Sequence, residues 1–157
     1  MKKMILFICS GNTCRSPMAK FIFNAELEKH SINAYTGDSA GLFCYAGEPI
    51  SFNASEVLKE SGIDSSSHKS KPASSSLLKK AHLLVCMTNS IKNTIQINFP
   101  EFTGKLRLMK FFSSDNTAVN SDVCDPFGRD LNIYRNIRDE IADCIKKMII
   151  LSGSNEL

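Results

Sequence analysis

The sequence predicts an α/β fold: one domain built on a four-stranded parallel sheet with helices on both of its faces. Three observations predict it. Short continuous apolar runs alternate with segments of helical period, the order expected of strand–helix–strand units. The first run, Met4-Ile5-Leu6-Phe7-Ile8, shows no polar alternation, as in a strand covered on both faces. The chain of 157 residues is 43% hydrophobic, enough for one core, and no repeat or composition break marks a second unit within 1–157.

Each element has its own signal. Residues 4–8 are the first strand. Residues 17–29 place Met18, Phe21, Ile22 and Ala25 on one helical face. Residues 34–40 read as a weaker strand ended by Gly41, and residues 42–51 as a loop of mixed polarity. A helix fits 53–61, with Ala54, Val57 and Leu58 inward and Gly62 as its stop. The Ser- and Lys-rich stretch 64–76 reads as a surface loop, followed by a short helix at 77–80 and a buried strand at 82–87. Thr88 or Asn89 can cap a helix that runs to about residue 98 and stops before Pro100. Residues 106–112 read as the fourth strand and 113–128 as a long loop. The last helix, 131–151, carries Tyr134, Ile137, Ile141, Cys144, Ile145 and Met148 on one stripe.

Composition excludes several classes. The net charge is only +3, with no long basic run, so nucleic-acid binding has no electrostatic support. No apolar stretch is long enough to cross a bilayer, and Met4 to Ile8 is too short for a signal-peptide core. A cytoplasmic protein is expected, without membrane contact. The six cysteines are scattered with no C-x-x-C pair, and there are three histidines, which argues against a metal site or a disulfide scaffold. Cys44, Cys86 and Cys144 read as small buried hydrophobes.

One string carries chemistry: Cys9-Ser10-Gly11-Asn12-Thr13-Cys14-Arg15-Ser16-Pro17, between the first strand and the first helix. A loop of this length can turn its backbone N–H groups inward as an anion nest, and the helix start adds a positive dipole end. Gly11 and Asn12 tolerate the left-handed backbone that such a curl needs. Cys9 stands at its base, where donors that hold a phosphate also stabilise a thiolate. Arg15 supplies a planar fork for two oxygens. Ser16 can donate to the sulfur. No G-K-[ST] or G-x-G-x-x-G is present, which excludes a Walker loop and a dinucleotide loop. Attack of a thiolate on phosphorus needs an acid for the leaving group. Asp125, in Asp122-Val123-Cys124-Asp125-Pro126-Phe127-Gly128, lies in the loop before the last helix, at the same end of the sheet.

These residues resemble the low-molecular-weight protein tyrosine phosphatases, with C-x-G-N-x-C-R-S-P near one end and D-P-[YF] near the other. Ser39-Ala40-Gly41 also matches a recurrent segment of that family. The resemblance implies Cys9 as nucleophile, Arg15 as phosphate clamp and Asp125 as acid. It further implies that Asn12 and Ser39 support the loop and that Ser16 supports the thiolate. Within the family the chain is similar to the bacterial protein-arginine phosphatase branch, on Thr13 and on the Asp125-Pro126-Phe127-Gly128 segment with its continuation. Thr13 keeps much of the shape of isoleucine and adds a hydroxyl near the leaving nitrogen.

The expected reaction is hydrolysis of phosphorylated protein side chains through a phosphocysteine, without cofactor or metal. Phosphoarginine is favoured, with phosphotyrosine as the alternative. Ser10, Gly11, Asn12, Thr13, Cys14, Ser16 and Phe127 are the expected substrate-binding positions. Phe43 and Tyr45 are further candidates for an aromatic wall. Cys14 is a candidate partner for an oxidised Cys9. An arsenate reductase would need a second relay cysteine near Cys86, and none follows within the next ten residues. A non-catalytic phosphopeptide-binding module would need neither the thiolate nor Asp125.

Overall fold

A computed structural model describes residues 1–115 and 121–157. Strand β1 (Lys3–Cys9) lies inside a parallel sheet, between β2 (Tyr35–Gly41) and β3 (Leu83–Cys86), with β4 (Leu106–Leu108) beyond β3. Successive side chains of a strand point to opposite faces. Ile5, Leu6, Phe7 and Ile8 are all fully buried, so β1 is covered on both. This is why its sequence reads as an unbroken apolar run. Helices α1 (Arg15–Lys29), α2 (Phe52–Glu60) and α5 (Leu131–Gly153) pack on one another, and α4 (Asn89–Asn98) packs against β3 and β4. The short helix α3 (Ser75–Lys80) precedes β3.

The chain leaves β1 for β2 on one side and later returns to β3 on the other. That makes the end of β1 a switch point, where loops diverge and leave a crevice. The register sets Cys9 against Gly41 and Ile8 against Cys86, so the carboxyl ends of the inner strands are level.

Local signals explain most boundaries. Thr88 caps α4 by accepting a hydrogen bond from the Ile91 amide at 3.2 Å, and Asp130 caps α5 by accepting from Ile133 at 3.0 Å. Gly62 follows α2 with φ 74°, the left-handed stop its sequence suggested. The expected α5 stripe is buried at all six positions from Tyr134 to Met148. Helix α1 begins two residues before the expected Pro17, which sits in the first turn where no amide hydrogen is needed.

Several expectations need correction. The fourth strand covers only 106–108, and Met109–Phe112 is a 3-10 turn. Met109 and Phe112 are both buried, and residues three apart share a side in a 3-10 turn but not in a strand. A second 3-10 turn, Pro100–Lys105, was not anticipated. The stretch 64–76 is more than a surface loop, because it buries Ser65, His68 and Ser70 and bridges Gly41 through Pro72. Cys86 and Cys144 are buried as expected, whereas Cys44 is half-exposed. Of the long loop 113–128, residues 116–120 lie outside the described residues. Among the described residues no helix is long and apolar enough to cross a membrane.

Gly41 closes β2 directly behind the β1–α1 loop. A β-carbon there would stand 2.7 Å from the Ser10 carbonyl oxygen and 2.8 Å from Cys44 Sγ. The sulfur can swing away, but the carbonyl belongs to the loop backbone. Gly41→Ala is therefore expected to lower the free energy of unfolding by about 1–3 kcal/mol, the usual cost of overpacking. Urea unfolding measures it; an unchanged midpoint would mean that the loop yields freely.

Candidate active site

The loop from Cys9 to Arg15 takes its shape from Asn12. Gly11 was expected to share the left-handed turn, but only Asn12 adopts it, with φ 55°. Asn12 is fully buried and each of its polar ends is engaged. Its side-chain nitrogen donates to Ser16 Oγ at 2.8 Å, and its side-chain oxygen accepts from the Lys71 amide at 3.0 Å. Its carbonyl lies 2.7 Å from His68 Nε2. A carbonyl only accepts, so that ring nitrogen carries the proton. Burial pushes the His68 pKa down, with the Asn12 carbonyl opposing and Lys20 and Lys71 reinforcing the shift. His68 Nδ1 is buried without a partner among the described residues.

Cys9 Sγ lies 2.9 Å from Ser16 Oγ and accepts from the Asn12 amide at 3.2 Å. Ser16 already accepts from Asn12, so its own hydrogen is available to the sulfur or to the Ala40 carbonyl, 3.5 Å away. The sulfur thus sits among donors. None of the backbone N–H groups of Gly11, Thr13, Cys14 and Arg15 has an acceptor among the described residues. Cys14 is the cap residue of α1, yet its side chain makes no capping hydrogen bond. Its thiol turns away to Ser51 Oγ at 3.2 Å and to the Tyr134 hydroxyl at 3.3 Å. Burial first, then the Cys14 contact, push the Tyr134 phenol up to about 12. An array of unpaired amides at a helix start is a receptor for an anion.

Arg15 is 4% exposed. One arm donates to the Val123 carbonyl at 3.0 Å, and another lies 3.6 Å from Asp125 Oδ2. Val123 is itself tied to the end of β3 through the Met87 carbonyl at 2.8 Å. The 122–128 segment is therefore fastened to the sheet and to the arginine at once. The Asp125 side chain is 55% exposed, and its other oxygen accepts from the Phe127 amide at 3.1 Å. It lines the same cavity as the loop, with its carboxyl open to solvent.

Cys9, Ser10, Gly11, Asn12, Thr13, Cys14, Arg15, Asp125 and Phe127, all singled out from sequence, line one cavity of about 280 Å³. Phe43 joins them and Tyr45 does not. The Phe43 and Phe127 rings are each 74% exposed, as a rim would be. Ser16 lies buried beside the sulfur. The implied support by Ser39 is not made through a hydrogen bond: its hydroxyl is buried without a partner among the described residues. The loop is backed instead by Gly41, Lys71 and His68, together with Leu42 and Phe43 amides that donate to the Cys9 and Ser10 carbonyls at 3.0 Å each. His68, Ser51 and Tyr134 escaped sequence reasoning, because each lies tens of residues from the loop with no spacing rule to join them. No group of three or more His, Cys, Asp or Glu side chains suited to a metal occurs among the described residues.

Comparison with known proteins agrees with this geometry. The family model for low molecular weight phosphotyrosine protein phosphatase matches residues 4–155. A protein-arginine-phosphatase of Geobacillus stearothermophilus is 39% identical over 153 residues, covering 94% of this chain and 95% of its own. A probable low molecular weight protein-tyrosine-phosphatase of Ralstonia nicotianae is 33% identical, covering 90% of each. A solved arginine phosphatase, in which serine replaces a cysteine and the active-site serine is phosphorylated, superposes with a TM-score of 0.89 at 31% identity, covering 97% of each chain. The chain belongs to the low molecular weight phosphotyrosine protein phosphatase family.

Proposed function

We propose that this chain is a protein phosphatase, one catalytic unit over 1–157, that acts on phosphorylated side chains through a phosphocysteine. The observation that carries the proposal is the set of unpaired loop amides around Cys9, closed on one side by Arg15 and facing Asp125. In the first step the Cys9 sulfur attacks phosphorus in line. The loop amides and Arg15 hold the equatorial oxygens, where charge builds. Asp125 gives its proton to the departing atom as that bond breaks. In the second step Asp125 takes a proton from water, whose oxygen attacks the phosphocysteine and releases phosphate and the thiolate. Ser16 stabilises the sulfur in both its attacking and its departing roles. The guanidinium and the amides supply the positive charge that a metal would bring elsewhere.

Phosphoarginine is the favoured substrate. Thr13 lines the cavity and gives it a hydroxyl, suited to a polar leaving group such as a guanidine nitrogen. The identity to an arginine phosphatase supports the same reading. Phosphotyrosine is the second reading, favoured by the exposed rings of Phe43 and Phe127 at the rim, which could flank a phenol. A thiol relay of the arsenate reductase kind is disfavoured. Cys86 is fully buried in β3, and burial pushes its thiol up to about 12. All six cysteines are free thiols, in keeping with a reducing cytoplasm. Cys14 could trap an oxidised Cys9 as a disulfide, but only by leaving both Ser51 and Tyr134.

Phosphate release from phosphoarginine and phosphotyrosine peptides tests these roles. Cys9→Ser is expected to abolish turnover while retaining phosphate binding. Asp125→Ala is expected to lower kcat by about 10²-fold or more, the usual range for a lost acid. Near-normal turnover in either variant refutes the assignment. Thr13→Ile is expected to move the kcat/KM ratio about tenfold toward phosphotyrosine. An unmoved ratio would remove Thr13 as the source of specificity.

A further inference from the structure

Two cap residues behave unusually at this site. Cys14 precedes α1 and Ser51 precedes α2, and neither side chain bonds to its own helix. A serine at that position normally caps its helix. Ser51 forgoes the cap. Its hydroxyl accepts from the Cys14 thiol at 3.2 Å, while its amide donates to the Thr13 carbonyl at 2.9 Å. Tyr134, on the buried stripe of α5, meets the same sulfur at 3.3 Å. The one hydrogen of the Cys14 thiol goes to Ser51, so toward Tyr134 the sulfur accepts and the phenol donates. The side-chain polar atoms of this trio thus meet one another beneath the loop.

We propose that Tyr134 and Ser51 are positioning residues for the phosphate-binding loop, acting through Cys14. They hold the Cys14 thiol away from the start of α1. The amides at that helix start then stay unoccupied and aimed at the ligand. The other half of the loop is fixed independently by Asn12 with His68 and Lys71. The proposal rests on the phosphatase reading of the site. It adds that α2 and α5, which supply no group to the cavity, set the geometry of its floor.

Tyr134→Phe removes one oxygen and keeps the ring. NMR titration of the whole protein with inorganic phosphate reads loop geometry without turnover. Tyr134→Phe is expected to weaken phosphate binding by about three- to tenfold, the range one lost hydrogen bond spans. With para-nitrophenyl phosphate, kcat/KM should fall by a similar factor. Ser51→Ala, the second variant should Tyr134→Phe fold poorly, is expected to do the same. In a Cys14→Ala background both substitutions should have little further effect on phosphate binding. A purely structural role would lower the melting temperature and leave phosphate affinity unchanged, which overturns the proposal. So does a loss of affinity that persists in full without Cys14. If the wild-type protein binds no phosphate, the phosphatase reading falls as well; if it binds and the variants match it, only this inference falls.

Discussion

A loop of backbone amides with no partners among the described residues is the constraint from which the rest of this structure follows. Unpaired N–H groups are costly where water is scarce, and a strand-to-helix turn left to itself would satisfy them by capping. Here the turn is braced from several directions. Asn12 alone takes the left-handed backbone and ties the curl to residues 68 and 71. Gly41 allows β2 to approach the Ser10 carbonyl without a side chain between them. Cys14, the cap residue, has its thiol committed elsewhere. The sheet contributes as well, since β1 delivers Cys9 from a strand buried on both faces.

The proposed acid and the proposed clamp share one support. Arg15 is a buried cation whose two arms go to the Val123 carbonyl and toward Asp125. Val123 in turn hangs on Met87 at the end of β3. The loop that carries the carboxyl is therefore held by the residue proposed to grip phosphate. The carboxyl itself stays mostly in solvent. Such an arrangement keeps an exposed group within reach of the cavity without burying its charge.

How much of this the sequence revealed depends on distance along the chain. The strand, the loop and the start of α1 form one contiguous string, so the apolar run, Asn12 and Arg15 could be read together. The cap at Thr88 and the stripe on α5 were legible for the same reason, being local or periodic. The contacts that brace the loop are not local. His68, Ser51 and Tyr134 look ordinary in a Ser-rich stretch, a loop end and a helix stripe. Motif resemblance also implied Ser39 as loop support, and its buried hydroxyl has no partner among the described residues. Residues 106–112 failed for a third reason. A short apolar stretch fits a strand or a tight turn equally well, and only the joint burial of Met109 and Phe112 decides between them.

Asn12 joins so many neighbours that these positions cannot vary one at a time. Its side chain meets Ser16 and the Lys71 backbone, its carbonyl meets His68, and its β-carbon limits what can stand at position 41. Contacts shared in this way make substitution energies non-additive. Epistasis is the consequence. A change accepted at residue 68 in one sequence background can be ruinous in another, so drift around the curl must proceed through coordinated replacements, while the far ends of α4 and α5 remain free to diverge singly.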